Sequence, residues 1–224
     1  MAIAEVNLGR AQELAQETGG RAVADYREML EAVDAVVISS PNFLHHEHAI
    51  ECAKAEKHIY CEKPMGLSLE QARDIEQATS RSQVASVVGF SNRFGGDVQT
   101  MLRLNEAGEL GDLISLASRR LCFIDPQKTP AWRRDHAQSG GLLFEINIHE
   151  IDWMMWLGGE VQSVYARKWS QENGPRHNDH LWVTLNFDGG AVGAHEGSWL
   201  TSNPQFFRSV EGTRAVFSTD EWGS

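Results

Sequence analysis

The feature that most limits what this chain can fold into is the alternation of short apolar runs with helical repeats in its first part. Ala2 to Val6 is a short apolar run, and beyond Gly9 the residues Ala11, Leu14 and Ala15 recur at helical spacing. Ala35-Val36-Val37-Ile38 is continuous and rich in β-branched residues, which predicts a strand buried on both faces. Ser39-Ser40-Pro41-Asn42 breaks it, and a helical stretch follows to about Lys57. His58-Ile59-Tyr60-Cys61 reads as the next strand. Ser68, with Gln71 three residues on, opens a further helix through a capping box. Val84 to Phe90 reads as another strand. Repeated β-α-β-α of this kind implies a parallel sheet with helices on its faces.

The pattern changes after about Phe94, and a domain boundary is expected between Asn92 and Gly96. A helix from about Asp97 to Ala107 stops at Gly108, and a long strand runs from Asp112 to Ile124. A loop rich in Pro, Lys and Arg covers Asp125 to Ser139. A helix from Gly140 to Leu157 follows, apolar nearly all round, as buried helices are. Glu145, His149 and Asp152 interrupt it at offsets of four and three, which places them on one face. Ionisable groups are costly there unless paired, so they form either a satisfied cluster or a functional site. Beyond the helix, Leu181, Val183, Leu185 and Phe187 alternate with Trp182, Thr184 and Asn186, as in an antiparallel meander. Asp188-Gly189-Gly190 and Glu211-Gly212-Thr213 are turn signals within it.

Composition excludes several roles. The 224 residues carry a formal net charge of −11, which argues against a nucleic-acid backbone or an anionic membrane surface as partner. No run approaches the roughly 18–20 apolar residues of a membrane span, and the start of the chain lacks signal-peptide features. Cys52, Cys61 and Cys122 fit no zinc or disulfide spacing, so free thiols in a reducing, cytoplasmic compartment are expected. His45-His46-Glu47-His48 is a dense histidine cluster, and His149-Glu150 begins like a zincin helix. The zincin pattern needs histidine at position 153, which is Trp153, and the first cluster spreads around a helix; no metal is expected.

Ligands of open α/β sheets sit outside the carboxyl ends of the strands. Glu5 ends the first strand, Ser40-Pro41-Asn42 with His45 the second, and Glu62-Lys63-Pro64 the third. An acidic residue at a strand end is either a ligand of an adenosine ribose or an ordinary carboxylate beside a helix. His45 taken alone reads as a surface helix residue. Lys63 taken alone reads as a solvated lysine, except that Pro64 restrains the backbone beside it.

Five segments in order resemble the glucose–fructose oxidoreductase and inositol dehydrogenase family (Gfo/Idh/MocA). Glu62-Lys63-Pro64 is similar to its Glu-Lys-Pro motif, and Ser40-Pro41-Asn42-Phe43-Leu44-His45 to its Thr-Pro-Asn-x-x-His segment. Gly89-Phe90-Ser91-Asn92-Arg93-Phe94 resembles Gly-Phe-x-x-Arg-Phe, and Gly108-Glu109-Leu110-Gly111 a Gly-x-Ile-Gly turn. Ser139-Gly140-Gly141 with Glu145 and His149 resembles a Gly-Gly-x-x-x-Asp-x-x-x-His helix.

The resemblance implies an α/β fold: an incomplete Rossmann-like parallel sheet over residues 1–93, then an α+β domain with an open, mostly antiparallel sheet over 94–224. It implies NAD(P)-dependent hydride transfer at a sugar or cyclitol hydroxyl. Lys63 would hydrogen-bond the reacting oxygen, His149 would be the general acid/base, and Glu145 would stand for the family's aspartate. Ser40, Pro41, Asn42, His45 and Glu62 would line the nicotinamide side. Glu5 would hold the adenosine ribose and, by repelling a 2′-phosphate, favour NAD over NADP. Arg93, Trp132, Arg133 and Asn147, with Glu145 and His149, would face a small polyhydroxylated substrate, and the full-length form is expected to be a homo-oligomer.

Two departures bear on this. The family's strand and Gly-x-Gly-x-x-Gly loop before the position of Glu5 have no counterpart, and the second domain ends early. The chain therefore reads as an internal fragment of a longer enzyme, or as a reading frame begun at an internal Met, and is expected to bind NAD poorly by itself. The competing reading is a non-catalytic, cofactor-deficient relative that binds a sugar or a partner. A later cluster, His177, Asn178, Asp179 and His180, suits a polyhydroxylated ligand or a solvated loop equally.

Overall fold

The computed structural model describes residues 1–125, 127–170 and 179–219. The chain divides into two compact units, Met1–Gly89 and Phe90–Ser224. The division falls before the expected 93/94 boundary because Arg93 is bound by a two-pronged ion pair to Asp152 of the second unit, at 2.8 and 2.6 Å.

The first unit runs β1 (Ala2–Ala4), α1 (Leu8–Thr18), β2 (Arg21–Val23), β3 (Ala35–Ile38), α2 (His45–Lys54), β4 (His58–Glu62), α3 (Leu69–Ser82) and β5 (Ser86–Gly89). All its strand pairs are parallel: β1 with β2, and β3, β4 and β5 in that order. Asn7 caps α1 by accepting from the Arg10 N–H, and Gly19, at φ +68°, takes the left-handed conformation that ends it. Ser68 caps α3 by accepting from the Gln71 N–H. The Gln71 carboxamide oxygen in turn accepts from the Leu67 N–H at 2.7 Å, one residue before the cap. Ala49, Cys52 and Ala53 of α2 and Ile75 of α3 pack on Val36, Ile38, Ile59 and Cys61. The opposite face of the three-stranded sheet is open, with Val37 69% and Val87 56% exposed. This corrects the expectation of a strand buried on both faces: in the described residues, α2 and α3 cover only the Val36–Ile38 side.

In the second unit a 3₁₀ turn (Ser91–Phe94) leads to α4 (Gly96–Glu106) and β6 (Leu113–Phe123). The basic loop contains two single turns, α5 (Ala131–Arg134) and α6 (His136–Ser139). A π-helical turn, Leu143–Asn147, then runs into α7 (Ile148–Gly158). The expected uniform helix is thus two segments of different pitch, so simple α spacing does not set the phase between Glu145 and His149. The remaining strands are β7 (Val161–Ser170), β8 (Asp179–Phe187), β9 (Val192–Ser198), β10 (Leu200–Gly212) and β11 (Val216–Ser218). They join β6 in one sheet of order β11-β10-β6-β9-β8-β7, antiparallel except for the β6–β9 pair. Strand β7 gave no sequence signal because it is an edge strand, exposed along nearly its whole length, and so lacks apolar alternation.

Leu181, Val183, Leu185 and Phe187 point inward as their alternation predicts and meet Trp153, Met154 and Leu157 of α7. The approach is close enough that a Cβ on Gly158 would stand 2.7 Å from the Phe187 ring. Trp182 and Tyr165 lie on the other side of the sheet, half or more exposed. Among the described residues no helix is long and apolar enough to cross a membrane.

One ion cluster pins α7 to its neighbours. Fully buried Glu150 accepts from Arg208 of β10 at 2.8 and 2.7 Å, from Arg120 of β6 at 3.1 Å and from the Trp153 indole at 2.8 Å. Arg208 also reaches Asp97 in the first turn of α4 at 2.8 Å. Burial by itself raises the Glu150 carboxyl, but the hydrogen bonds and charge of Arg208, helped by Trp153 and Arg120, hold it below its ordinary 4.5. A carboxyl depressed by folding contributes stability that is present above about pH 4.5 and is lost as the pH falls. Arg208→Ala strips the carboxylate of its main partner, and we expect a loss of about 3–5 kcal/mol in urea unfolding of the chain. A loss below about 1 kcal/mol would mean that the cluster does not hold the helix.

Candidate active site

In the first unit the chemistry collects where parallel strands end. Glu5 follows β1: its N–H donates to Val23 O at 3.2 Å, and its carboxylate accepts from the Asn7 N–H at 3.1 Å, against the start of α1. Ser40, Pro41 and Asn42 follow β3. The Ser40 hydroxyl lies 3.0 Å from His48 Nδ1, and Asn42 is buried at the head of a 3₁₀ turn. Lys63, half-buried, follows β4 and is joined to Pro64 by a cis peptide. Glu62 accepts from the Tyr60 hydroxyl at 3.3 Å. Gly89, at the end of β5, lies so close to these two that a Cβ would stand 2.6 Å from the hydroxyl and 3.1 Å from the carboxylate. A carboxylate, a hydroxyl, a carboxamide and an ammonium thus gather at the strand ends. They are groups suited to a ribose diol and a nicotinamide amide.

His45 departs from its expected places. It is 1% exposed, and both ring nitrogens lie 2.7 Å from main-chain carbonyls, Nδ1 from Pro64 O and Nε2 from Ser40 O. Its side chain is not on the surface, and main-chain carbonyls face both of its polar atoms. The other members of the histidine cluster also have partners, His46 with Asp74 at 3.2 Å and His48 with Ser40. The three cysteines are free thiols. Burial pushes Cys61 up to about 12 and Cys52 up to about 11, so both stay protonated and unreactive.

In the second unit, Glu145 and His149 are both buried, at 2% and 8% exposure. Glu145 Oε1 meets Arg133 Nε at 2.6 Å, and the half-exposed guanidinium of Arg133 lies 5.5 Å from the Trp132 ring. These three predicted residues are therefore one linked group. The His149 ring stands edge-on to Phe90 with centroids 6.1 Å apart. The loop before them is tied down by Asp179, 2% exposed, which meets His136 at 2.7 Å, Lys168 at 3.1 Å and the Ser170 hydroxyl at 2.6 Å. The His136 ring fills the space where a Cβ on Gly141, at φ +72°, would be, so that position requires glycine. Asp179 belongs to the later polar cluster, where it acts as a structural anchor; His177 and Asn178 lie outside the described residues, and His180 pairs with Glu196 at 3.5 Å.

Two further predicted substrate residues have partners within the protein. Arg93 is held by Asp152 and lies between the rings of Phe90 and Trp156, at 5.5 and 4.9 Å. Asp152, the third member of the predicted stripe, is thus the satisfied ion pair. Asn147 is fully buried, with its amide against Gly197 of β9, where a Cβ would collide with it. The residue that the stripe missed is Glu150. The available signal was Arg208, a charge standing at an inward position of β10 in phase with Val210.

Beneath α7, buried His195 of β9 places Nδ1 2.7 Å from the Ser118 hydroxyl. Burial is the main cause that brings its pKa down from 6.5 to about 4. Between those values the unfolded chain binds a proton that the folded chain does not, so stability falls as the pH drops from 6.5 toward 4. An NMR titration is expected to give His195 a midpoint near 4; a midpoint near 6.5 would contradict its burial as a neutral ring.

Comparison with known proteins identifies both units. A family model described as "Oxidoreductase family, NAD-binding Rossmann fold" matches residues 1–90, and one described as "GFO/IDH/MocA C-terminal domain" matches residues 98–218. Myo-inositol 2-dehydrogenase of Thermotoga maritima is 32% identical over 206 residues, covering 88% of this chain and 60% of that protein. 2,7-Anhydro-N-acetylneuraminate hydratase of Escherichia coli K12 is 31% identical over 193 residues, covering 84% and 52%. The solved structure of levoglucosan dehydrogenase in complex with NADH matches with a TM-score of 0.89 and 28% identity, over 97% of this chain and 63% of that one. The chain spans little more than half the length of these curated relatives. With the Rossmann-fold match on one unit and the C-terminal-domain match on the other, the chain belongs to the Gfo/Idh/MocA oxidoreductase family.

Proposed function

We propose that the protein containing this chain transfers a hydride between a hydroxyl-bearing carbon of a sugar or cyclitol and NAD. The observation that carries this reading is the set of polar groups at the strand ends of the first unit, Lys63 among them. NAD, when bound, supplies the hydride acceptor. Glu5 would hold its adenosine ribose, and Ser40, Asn42, Glu62 and Lys63 its nicotinamide side. A carboxylate at Glu5 disfavours the 2′-phosphate of NADP, so NAD is the preferred form.

The proton chemistry falls to residues of the chain. Losing hydride from a carbinol carbon requires the hydroxyl proton to leave as the carbonyl forms. His149 is the general base in oxidation and the acid in reduction, and the Lys63 ammonium stabilises charge developing on the oxygen. Glu145, held by Arg133, presents a fixed carboxylate for a further substrate hydroxyl. The names of the relatives, an inositol dehydrogenase and a levoglucosan dehydrogenase, support a polyhydroxylated substrate. We also propose that the open face of the six-stranded sheet pairs two copies, and that the free thiols belong to a reducing, cytoplasmic setting.

The test is a screen of polyols and sugars with NAD and NADP, following nicotinamide absorbance in the complete polypeptide. Turnover with NAD on a polyol is expected, and its absence across neutral and acidic sugars would end the reading. In the active protein, His149→Ala is expected to lower kcat roughly 100-fold to 10,000-fold while NADH binding persists. A sugar binder with no chemistry would instead show no turnover before or after the substitution.

A further inference from the structure

His45 is the first residue of α2, and its ring sits beneath two loops that the functional reading uses. Nδ1 lies 2.7 Å from the Pro64 carbonyl and Nε2 2.7 Å from the Ser40 carbonyl. A main-chain carbonyl can only accept, and so can an imidazole nitrogen without a proton. In a neutral ring one of these contacts would set lone pair against lone pair at hydrogen-bond distance. Both contacts are satisfied only when each nitrogen carries a proton. A buried cation is costly, and two short charge-assisted bonds to carbonyl oxygens are the kind of partner that offsets the cost.

The two carbonyls belong to different strand ends. Ser40 follows β3 and leads into Pro41 and Asn42, whereas Pro64 follows Lys63 at the end of β4. We propose that His45 is a positioning residue, a doubly protonated ring that cross-links the main chains of these two loops and so sets where Asn42 and Lys63 stand. It touches no ligand and acts only through the backbone. The nearby His48, lowered chiefly by burial, is pushed further the same way by His45, while Glu47 on the same helix opposes both. The ring's protonation is independent of the dehydrogenase reading; its consequence for Lys63 chemistry rests on that reading.

The test is NMR on this chain at neutral pH with ¹⁵N-labelled histidine. His45 is expected to show two slowly exchanging ring N–H signals; one N–H beside an unprotonated nitrogen overturns the proposal. His45→Gln carries its two N–H donors on one nitrogen, which cannot stand beside both carbonyls as the two ring nitrogens do. Its amide shifts are expected to concentrate at 40–42 and 63–65, to include the Lys63 side chain, and to spare α1, β1 and β2. Unmoved loops, or shifts spread evenly through the unit, would also overturn it. A doubly protonated ring in a complete polypeptide that fails to bind NADH leaves the clamp standing and removes the functional reading. A single N–H in one that binds NADH does the reverse.

Discussion

The ion cluster of Glu150, Arg208, Arg120 and Asp97 is the interaction on which the second unit depends. Helix α7 is apolar nearly all round, and hydrophobic burial is non-directional, so burial by itself leaves the helix free to rotate on the sheet. Glu150 removes that freedom. Its carboxylate has one low-energy orientation, toward Arg208 and Arg120, and the Asp97 contact extends the tie to α4. Once Glu150 faces the sheet, His149 must lie about 100° around the helix. An apolar replacement of the whole cluster could match its stability, but it would not specify rotation in the same way.

The first unit meets the same need for precision by other means. Its polar groups stand on loops after parallel strands, and loops are set only by what holds them. Here the restraints are close-range and mostly main-chain: Gly89 pressed against Tyr60 and Glu62, Ser40 against His48, and His45 joined to both the Ser40 and Pro64 carbonyls. Together they bring the ends of β3, β4 and β5 to definite positions. The second unit holds its own loop through Asp179, whose buried carboxylate collects His136, Lys168 and Ser170. In both units a buried polar side chain, His45 in one and Asp179 in the other, ties together loops near the predicted site residues.

Much of this was legible in the chain. The strands at 35–38 and 58–61, the Ser68 cap, the hairpin at Asp188-Gly189-Gly190 and the inward run of Leu181, Val183, Leu185 and Phe187 follow from periodicity and turn chemistry, which are local. Five motifs in order sufficed to indicate the family. The side chains were less legible. For Arg93, Asn147 and His45 the motifs gave a position but not a partner: Arg93 meets Asp152, Asn147 lies against Gly197, and His45 meets two carbonyls. Partners 59 residues apart in the chain, as Arg93 and Asp152 are, leave no mark in local spacing.

By itself, then, the sequence determined the order and type of the elements, the family, and the residue types available for acid/base and cofactor chemistry. Those properties depend on hydrophobic period, turn residues and composition, which are carried by neighbouring positions. Only the tertiary structure decided the π turn at Leu143–Asn147, the choice of Glu150 rather than Asp152 as the buried anchor, and the burial of His45. Each depends on where a distant carbonyl, carboxylate or guanidinium comes to rest, because desolvation and hydrogen bonding act at contact range whatever the separation along the chain.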